Sequence, residues 1–148
     1  MALAIKLPDF NQEIADAFIG ASNSMTGLPE FLGVQIVHAE PGMIRAEMPV
    51  TEKLLTPIGN MHGGVLAAVC DHVLGCVCSP HMKKGQWAAT TEFKLNLLAP
   101  VTEGTVVAEA RLVSMTKSTA VVRIDVSNEG RACCAAQGTV LIRDPRPK

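Results

Sequence analysis

The sequence lacks any marked excess of charge of either sign. Its 13 basic and 14 acidic residues leave a formal net charge of -1. Both signs are spread along the chain, so the electrostatic footprint of a nucleic-acid or anionic-membrane binder is missing, and small molecules are the expected partners. Paired-cysteine spacings are missing too. Cys70, Cys76, Cys78, Cys133 and Cys134 are odd in number and contain no C-x-x-C, which argues against a disulfide framework and against a four-ligand zinc site. Reduced, buried thiols are expected. The opening "MALAIKLPDF" has no basic n-region and meets Pro8 and Asp9 early, so it does not read as a signal peptide. The apolar run from Val65 to Cys78 falls short of the roughly 20 residues that span a bilayer and contains Asp71. The expected location is therefore the cytoplasm, with no membrane partner. Repeats, low-complexity segments and internal linkers are also wanting. What remains, 148 residues with 48% hydrophobic and 18% charged content, reads as a single domain over 1–148 with a real core.

Hydrophobic periodicity organises that domain. Phe10, Ile14, Ala17 and Phe18 recur at helical spacing, which predicts a short amphipathic helix over 8–19, followed by the connector "SNSMTGLPE". Val34, Ile36 and Ala39 before Pro41-Gly42, and Ile44, Ala46 and Met48 after it, predict a hairpin. From His62 to about Pro80 the chain is apolar on nearly every side and rich in Ala, Val and Leu, the pattern of a helix enclosed by a sheet. Four strands follow. Phe93, Leu95 and Leu97 share one face of the first; Val106, Ala108, Ala110 and Leu112 share a face of the second; Val122, Ile124 and Val126 do so in the third. A turn at Asn128-Glu129-Gly130 then leads to a last strand over about 132–142. The fold class is α+β, a long central helix wrapped by a curved antiparallel sheet, with a short N-terminal helix and connector over 1–30, a core over 31–143 and a polar tail over 144–148.

One stretch resists a purely structural reading. "GNMHGGVLAAVCDH" sets glycines, a histidine and an aspartate into an oily run. Gly63 and Gly64 open the helix, where glycine admits close approach to the backbone and first-turn N–H groups have no intrahelical acceptor, the setting for a developing oxyanion. Asp71 lies nine residues after His62, with Ala67, Ala68, Leu74 and Gly75 on its face. A carboxylate enclosed in such a helix is costly unless it is paired or used, which suits a general base or nucleophile. His62 reads as a backbone-positioning group with a possible base role. His72, His38 and His81 carry no argument, and no cysteine is singled out as an activated nucleophile.

The combination P-x-G-x-x-H-G-G, an aspartate at His+9 and a threonine-bearing strand ending "LNLLAP" resembles the hotdog-fold acyl-CoA thioesterases of the phenylacetyl-CoA thioesterase-like (PaaI-like) group, from about Phe31 to Ile142. The resemblance implies homodimers or dimers of dimers that hydrolyse acyl-CoA thioesters without metal or organic cofactor. It places Asp71 as the catalytic carboxylate and Gly63 as the N–H donor to the thioester carbonyl. Thr90 stands where relatives hold the attacking water, whereas strand parity places Thr91 on the face of Phe93; a bulge reconciles the two. Thr56 stands where the family often has Asn or Gln, a departure for which Asn60 is a candidate substitute. Gly64 and Lys117 complete the implied substrate contacts, Lys117 near the CoA nucleotide. A hydratase or dehydratase on the same fold and a non-catalytic acyl-CoA binder are the rival readings; the glycine pair and the His+9 aspartate favour hydrolysis.

Overall fold

The structure is a computed structural model and describes residues 5–146, so residues 1–4 and the tip of the polar tail at 147–148 lie outside the described residues. In chain order the elements are α1 (Gln12–Asn23), α2 (Leu28–Leu32), β1 (Gln35–Glu40), β2 (Met43–Pro49), a 3-10 turn (Glu52–Leu54), α3 (Gly63–Cys76), a second 3-10 turn (Ser79–His81), β3 (Trp87–Leu97), β4 (Thr105–Met115), β5 (Thr119–Asn128) and β6 (Arg131–Arg143).

All six strands form one antiparallel sheet in the order β1-β2-β4-β5-β6-β3. Two of its hairpins are set by turn chemistry. Pro41-Gly42 joins β1 to β2 with Gly42 at φ 74°, and Glu129-Gly130 joins β5 to β6 with both residues at positive φ, the left-handed pair that suits a two-residue hairpin. The predicted inward residues of β4 and β5 are all buried. They form the sheet's concave face against Leu66, Val69, Cys70, Val73 and Leu74 of α3.

Three expectations need correction. First, the N-terminal helix starts and ends four residues later than predicted. Asn11 caps it, its Oδ1 accepting from the Ile14 N–H at 3.1 Å, and Pro8 stays outside because its carbonyl is held by His81. Second, the connector contains α2, a five-residue helix with Pro29 in its first turn and Gly33 as a left-handed C-cap at φ 72°. It straddles the predicted boundary at residue 30. Third, α3 is not enclosed on every side. Gly64 and Asp71 are exposed and Ala67, Ala68 and Gly75 are only half-buried, so one helix face stands open. These positions follow the i, i+3, i+4, i+7, i+11 stripe. Continued through its terminal turns the helical run reaches His81, 19 residues in all, long and apolar enough to cross a membrane; the shorter count from Val65 to Cys78 understated it. Its large residues are instead packed against the sheet.

The two sheet edges differ. On β1, the Asn23 side chain accepts from the Ile36 N–H at 2.8 Å and donates to the Ile36 carbonyl at 2.9 Å, and a bulge interrupts the strand between Ile36 and His38. The opposite edge, β3, is eleven residues long and pairs on one side only, with β6.

Candidate active site

The start of α3 explains its two glycines. His62 has extended backbone (φ -63°, ψ 132°) and caps the helix, its Nδ1 accepting from the Gly64 N–H at 2.9 Å. A Cβ on Gly64 would lie 3.0 Å from that nitrogen, and a Cβ on Gly63 would lie 2.6 Å from Leu97 Cδ1. Gly64 thus admits the histidine cap, and Gly63 admits the strand leucine that covers the helix mouth. With Nδ1 accepting, the neutral ring carries its proton on Nε2. His62 is a positioning group here, and its Nδ1 is unavailable as a base while the cap holds. The Gly63 N–H has no acceptor among the described residues.

The loop ahead of it is held by its own backbone. Thr56 N–H donates to the Asn60 carbonyl at 2.7 Å, Gly59 N–H donates to the Thr56 carbonyl at 2.9 Å, and His62 N–H reaches the Leu54 carbonyl at 3.1 Å. The Thr56 hydroxyl donates to Asn60 Oδ1 at 3.0 Å. Asn60 and Gly63 line a cleft of about 290 Å³ with Leu66, Leu97, Leu98 and Pro100. Thr56 is therefore an orienting group for Asn60, and Asn60 is the amide that reaches the cleft beside the helix mouth. Sequence reasoning left this pairing open, because a side-chain bond inside a loop has no periodic signature.

Asp71 is exposed, a correction to the enclosed carboxylate expected from the sequence. The alanines and glycines around it count as apolar yet cover little area, so the open face carries its aspartate without the cost of burial. The Asp71 carboxylate makes no ion pair among the described residues. Gly63 packs against Leu97 whereas Gly75 faces Ala88, so α3 and β3 run in opposite directions and Asp71 comes abreast of the middle of β3. There a bulge at Thr91 separates the pairs Thr90–Val140 and Glu92–Thr139. Cross-strand partners share a face, and Val140, Gly138 and Ala136 lie on the core side with their partners Thr90, Phe93 and Leu95. By register the bulge puts Thr90 on the same face as Phe93, although Thr90 is itself exposed. Thr91 is exposed and its hydroxyl donates to the Thr139 carbonyl at 3.1 Å. Lys117 stands apart from these groups, in the β4–β5 turn beside Lys6 and Lys83 around a separate cavity of about 390 Å³.

The thiols are core groups, four of them raised above the usual cysteine range and Cys134 lowered by its hydrogen bond with Cys70. All five are free and buried. Burial pushes Cys76 and Cys78 up to about 12, and Cys70 is raised by its contact with Cys134, Sγ to Sγ 4.0 Å, and by burial. No group of three or more potential metal ligands occurs among the described residues. His72, beside Asp71, is held below the usual histidine range by burial, with the Asp71 charge opposing. A residue the sequence passed over, His81, is a structural pin: its Nε2 accepts from the Gly42 N–H at 3.0 Å while Nδ1 bonds the Pro8 carbonyl at 2.9 Å. No spacing rule would have found it.

Comparison with known proteins decides what such a helix mouth belongs to. Residues 58–135, more than half of the chain and including α3 and the strands from β3 into β6, match the thioesterase superfamily. The chain belongs to that superfamily. The thioesterase is 30% identical over 121 residues to a 1,4-dihydroxy-2-naphthoyl-CoA hydrolase of Listeria monocytogenes, covering 81% of this chain and 98% of that one. It is 32% identical over 136 residues to the proofreading thioesterase EntH of Klebsiella pneumoniae, covering 90% and 98%. Its fold is shared by the PaaI protein of the E. coli phenylacetic acid degradation operon, with a TM-score of 0.81 at 21% identity, over 90% of this chain and 96% of that one. The hotdog fold expected from the sequence stands, and the enzyme is a hydrolase of acyl-CoA-type thioesters.

Proposed function

We propose that the enzyme hydrolyses an acyl-CoA, aryl or fatty, at a site shared between two copies of the chain. The Gly63 N–H would polarise the thioester carbonyl from one copy, with Asn60 beside it. Asp71 of the other copy would act, with Thr90 placing the water. In the general-base route, Asp71 takes a proton from water as the water oxygen bonds to the carbonyl carbon; the oxyanion rests on the Gly63 N–H; collapse breaks the C–S bond, and the departing thiolate takes up the proton. In the nucleophilic route the carboxylate itself attacks the carbonyl carbon and the C–S bond breaks, releasing the CoA thiolate; water then cleaves the mixed anhydride, regenerating the Asp71 carboxylate and freeing the acid, with the water's proton passing to the thiolate. The name of the Listeria relative, a hydrolase of a bicyclic aryl-CoA, supports the substrate class. Lys117, with Lys6 and Lys83 nearby, suits the phosphates of the CoA nucleotide.

The observation that carries the shared site is helical geometry. Eight residues separate Gly63 from Asp71, about 12 Å along the axis, too far for one thioester to touch both within a chain. The open face of α3 and the unpaired edge of β3 lie on the same side, so a two-fold pairing that sets the helices antiparallel would bring each Gly63 towards the other chain's Asp71.

Co-refolding an inactive Asp71→Asn chain with an inactive Gly63→Pro chain, which lacks the N–H, tests this. Half of randomly paired dimers are mixed and each has one intact site, so about a quarter of wild-type activity is expected to return. A mixture that stays inactive although mixed dimers form would place the site within one chain.

A further inference from the structure

A cavity of about 690 Å³, more than twice the volume of the cleft at the helix mouth, lies elsewhere in the chain. It lies between α1 and the C-terminal half of α3, closed on a third side by the loop after His81 and the start of β3. Gly75 lines it, and Gly75 stands one turn beyond Asp71 on the same open face, about 6 Å along the axis. A Cβ there would meet only Ala88 Cβ, at 3.9 Å, so the way from Asp71 into the cavity is kept clear by a missing side chain.

The walls are chemically selective. The whole sequence has four phenylalanines, one tryptophan and no tyrosine. That single tryptophan, Trp87, and Phe18 of α1 both face this cavity, together with Met25 and Met82. Trp87 is 47% exposed, an apolar surface left unfilled by the protein itself. Aromatic faces and thioethers contact a flat ring system more favourably than an aliphatic chain of equal area. A cavity of about 150 Å³ already holds benzene, so this one has room for a fused-ring acyl group. The loop side adds Ser79, Lys83, Lys84 and Gln86, and α3 contributes one polar wall residue next to Gly75 and Cys76: His72, whose Nε2 lies 3.8 Å from Cys76 Sγ. Its other ring nitrogen has no partner among the described residues, and burial lowers its pKa, favouring the neutral imidazole. A neutral imidazole both donates and accepts.

We infer that this cavity is the acyl pocket of the site, that it selects a fused-ring aromatic acyl group through Phe18, Trp87 and the two methionines, and that His72 reads a hydroxyl on that ring system. The inference rests on the hydrolase reading above and assigns α1, an element outside the wrapped core, as the wall that sets acyl size.

The test uses the wild-type protein and free acids, and so does not depend on turnover. Trp87, as the sole tryptophan, reports occupancy directly. Naphthoic and hydroxynaphthoic acids are expected to change its emission saturably and to bind at least about tenfold tighter than decanoate, as calorimetry would confirm. Phe18→Ala should weaken both aromatic acids, whereas His72→Phe should erase only the advantage of the hydroxylated one. Decanoate binding as tightly as the aromatic acids, or calorimetric binding with a silent Trp87, overturns the assignment. Hydrolysis of naphthoyl-CoA with kcat/KM unchanged in both Gly75→Leu and Phe18→Ala overturns the pocket and leaves the hydrolase reading standing. Aromatic acids that bind as expected while no acyl-CoA is hydrolysed would remove the hydrolase reading and keep the pocket.

Discussion

The two faces of α3 divide the labour of the molecule. One carries Leu66, Val69, Cys70, Val73 and Leu74, each no more than 3% exposed and packed into the sheet. The other carries Gly64, Ala67, Ala68, Asp71 and Gly75 and is uncovered. Large side chains bury area and hold the fold together. Small ones bury little, which leaves the backbone and one carboxylate accessible along a rigid support. A single helix thus serves as both core and work surface, and substitutions on its two faces should have separable consequences.

The largest separation is expected at Asp71. Asp71→Asn should reduce turnover at least about 10²-fold with the thermal midpoint nearly unchanged, since the carboxylate is exposed and unpaired. Steady-state assay of thiol release beside a melting curve checks both halves, and turnover within a few-fold of wild type would remove Asp71 from the chemistry. The converse holds at Leu74, which is fully buried. Leu74→Ala should cost about 2–5 kcal/mol in denaturant unfolding, while activity per folded molecule persists. A smaller effect on the same packed side is expected from the thiols. Cys70→Ala with Cys78→Ala should lower stability by about 1 kcal/mol or more and leave turnover per folded molecule intact; a folded but inactive double variant would revive thiol catalysis.

The smallest effect is the pH dependence from His72, at the border of the two faces. Burial lowers its folded-state pKa from the ordinary 6.5, so the unfolded chain takes up a proton before the folded one does. Stability should therefore fall as pH drops below about 6.5, until the folded-state value is passed. His72→Gln should flatten that part of the stability profile, and an unchanged slope would show that another group carries it.

The division between faces was only half legible in the sequence. Alternation located β4, β5 and β6, because Val106, Ala108, Val122 and Ile124 obey a two-residue period and large apolar groups face one way. Pro41-Gly42 located the first hairpin by its turn chemistry. Helical periodicity found α3 but not its open side, since a hydrophobic count treats Ala67 and Gly75 like Val69 and so reports polarity rather than area. The five residues of α2 are too few for a periodic signal. At the site, the spacing from His62 to Asp71 was visible, and the threonine ambiguity pointed to the bulge at Thr91. The cap from His62 to Gly64, the bond from Thr56 to Asn60, the pin at His81 and the cavity beneath α1 are contacts that depend on how the loops and the N-terminal helix pack, which no local pattern encodes.

The Asn23 clamp on β1 has a consequence for assembly. A sheet with two free edges can add copies at both and grow without limit, whereas here one edge has its Ile36 peptide groups occupied by a side-chain amide and is bent by a bulge. That leaves β3 as the longer and more open edge for another strand. Two chains joined through β3 would present outward only β1 edges, each interrupted at its centre by the asparagine and the bulge, so further addition along this sheet is disfavoured by a residue placed far from the chemistry.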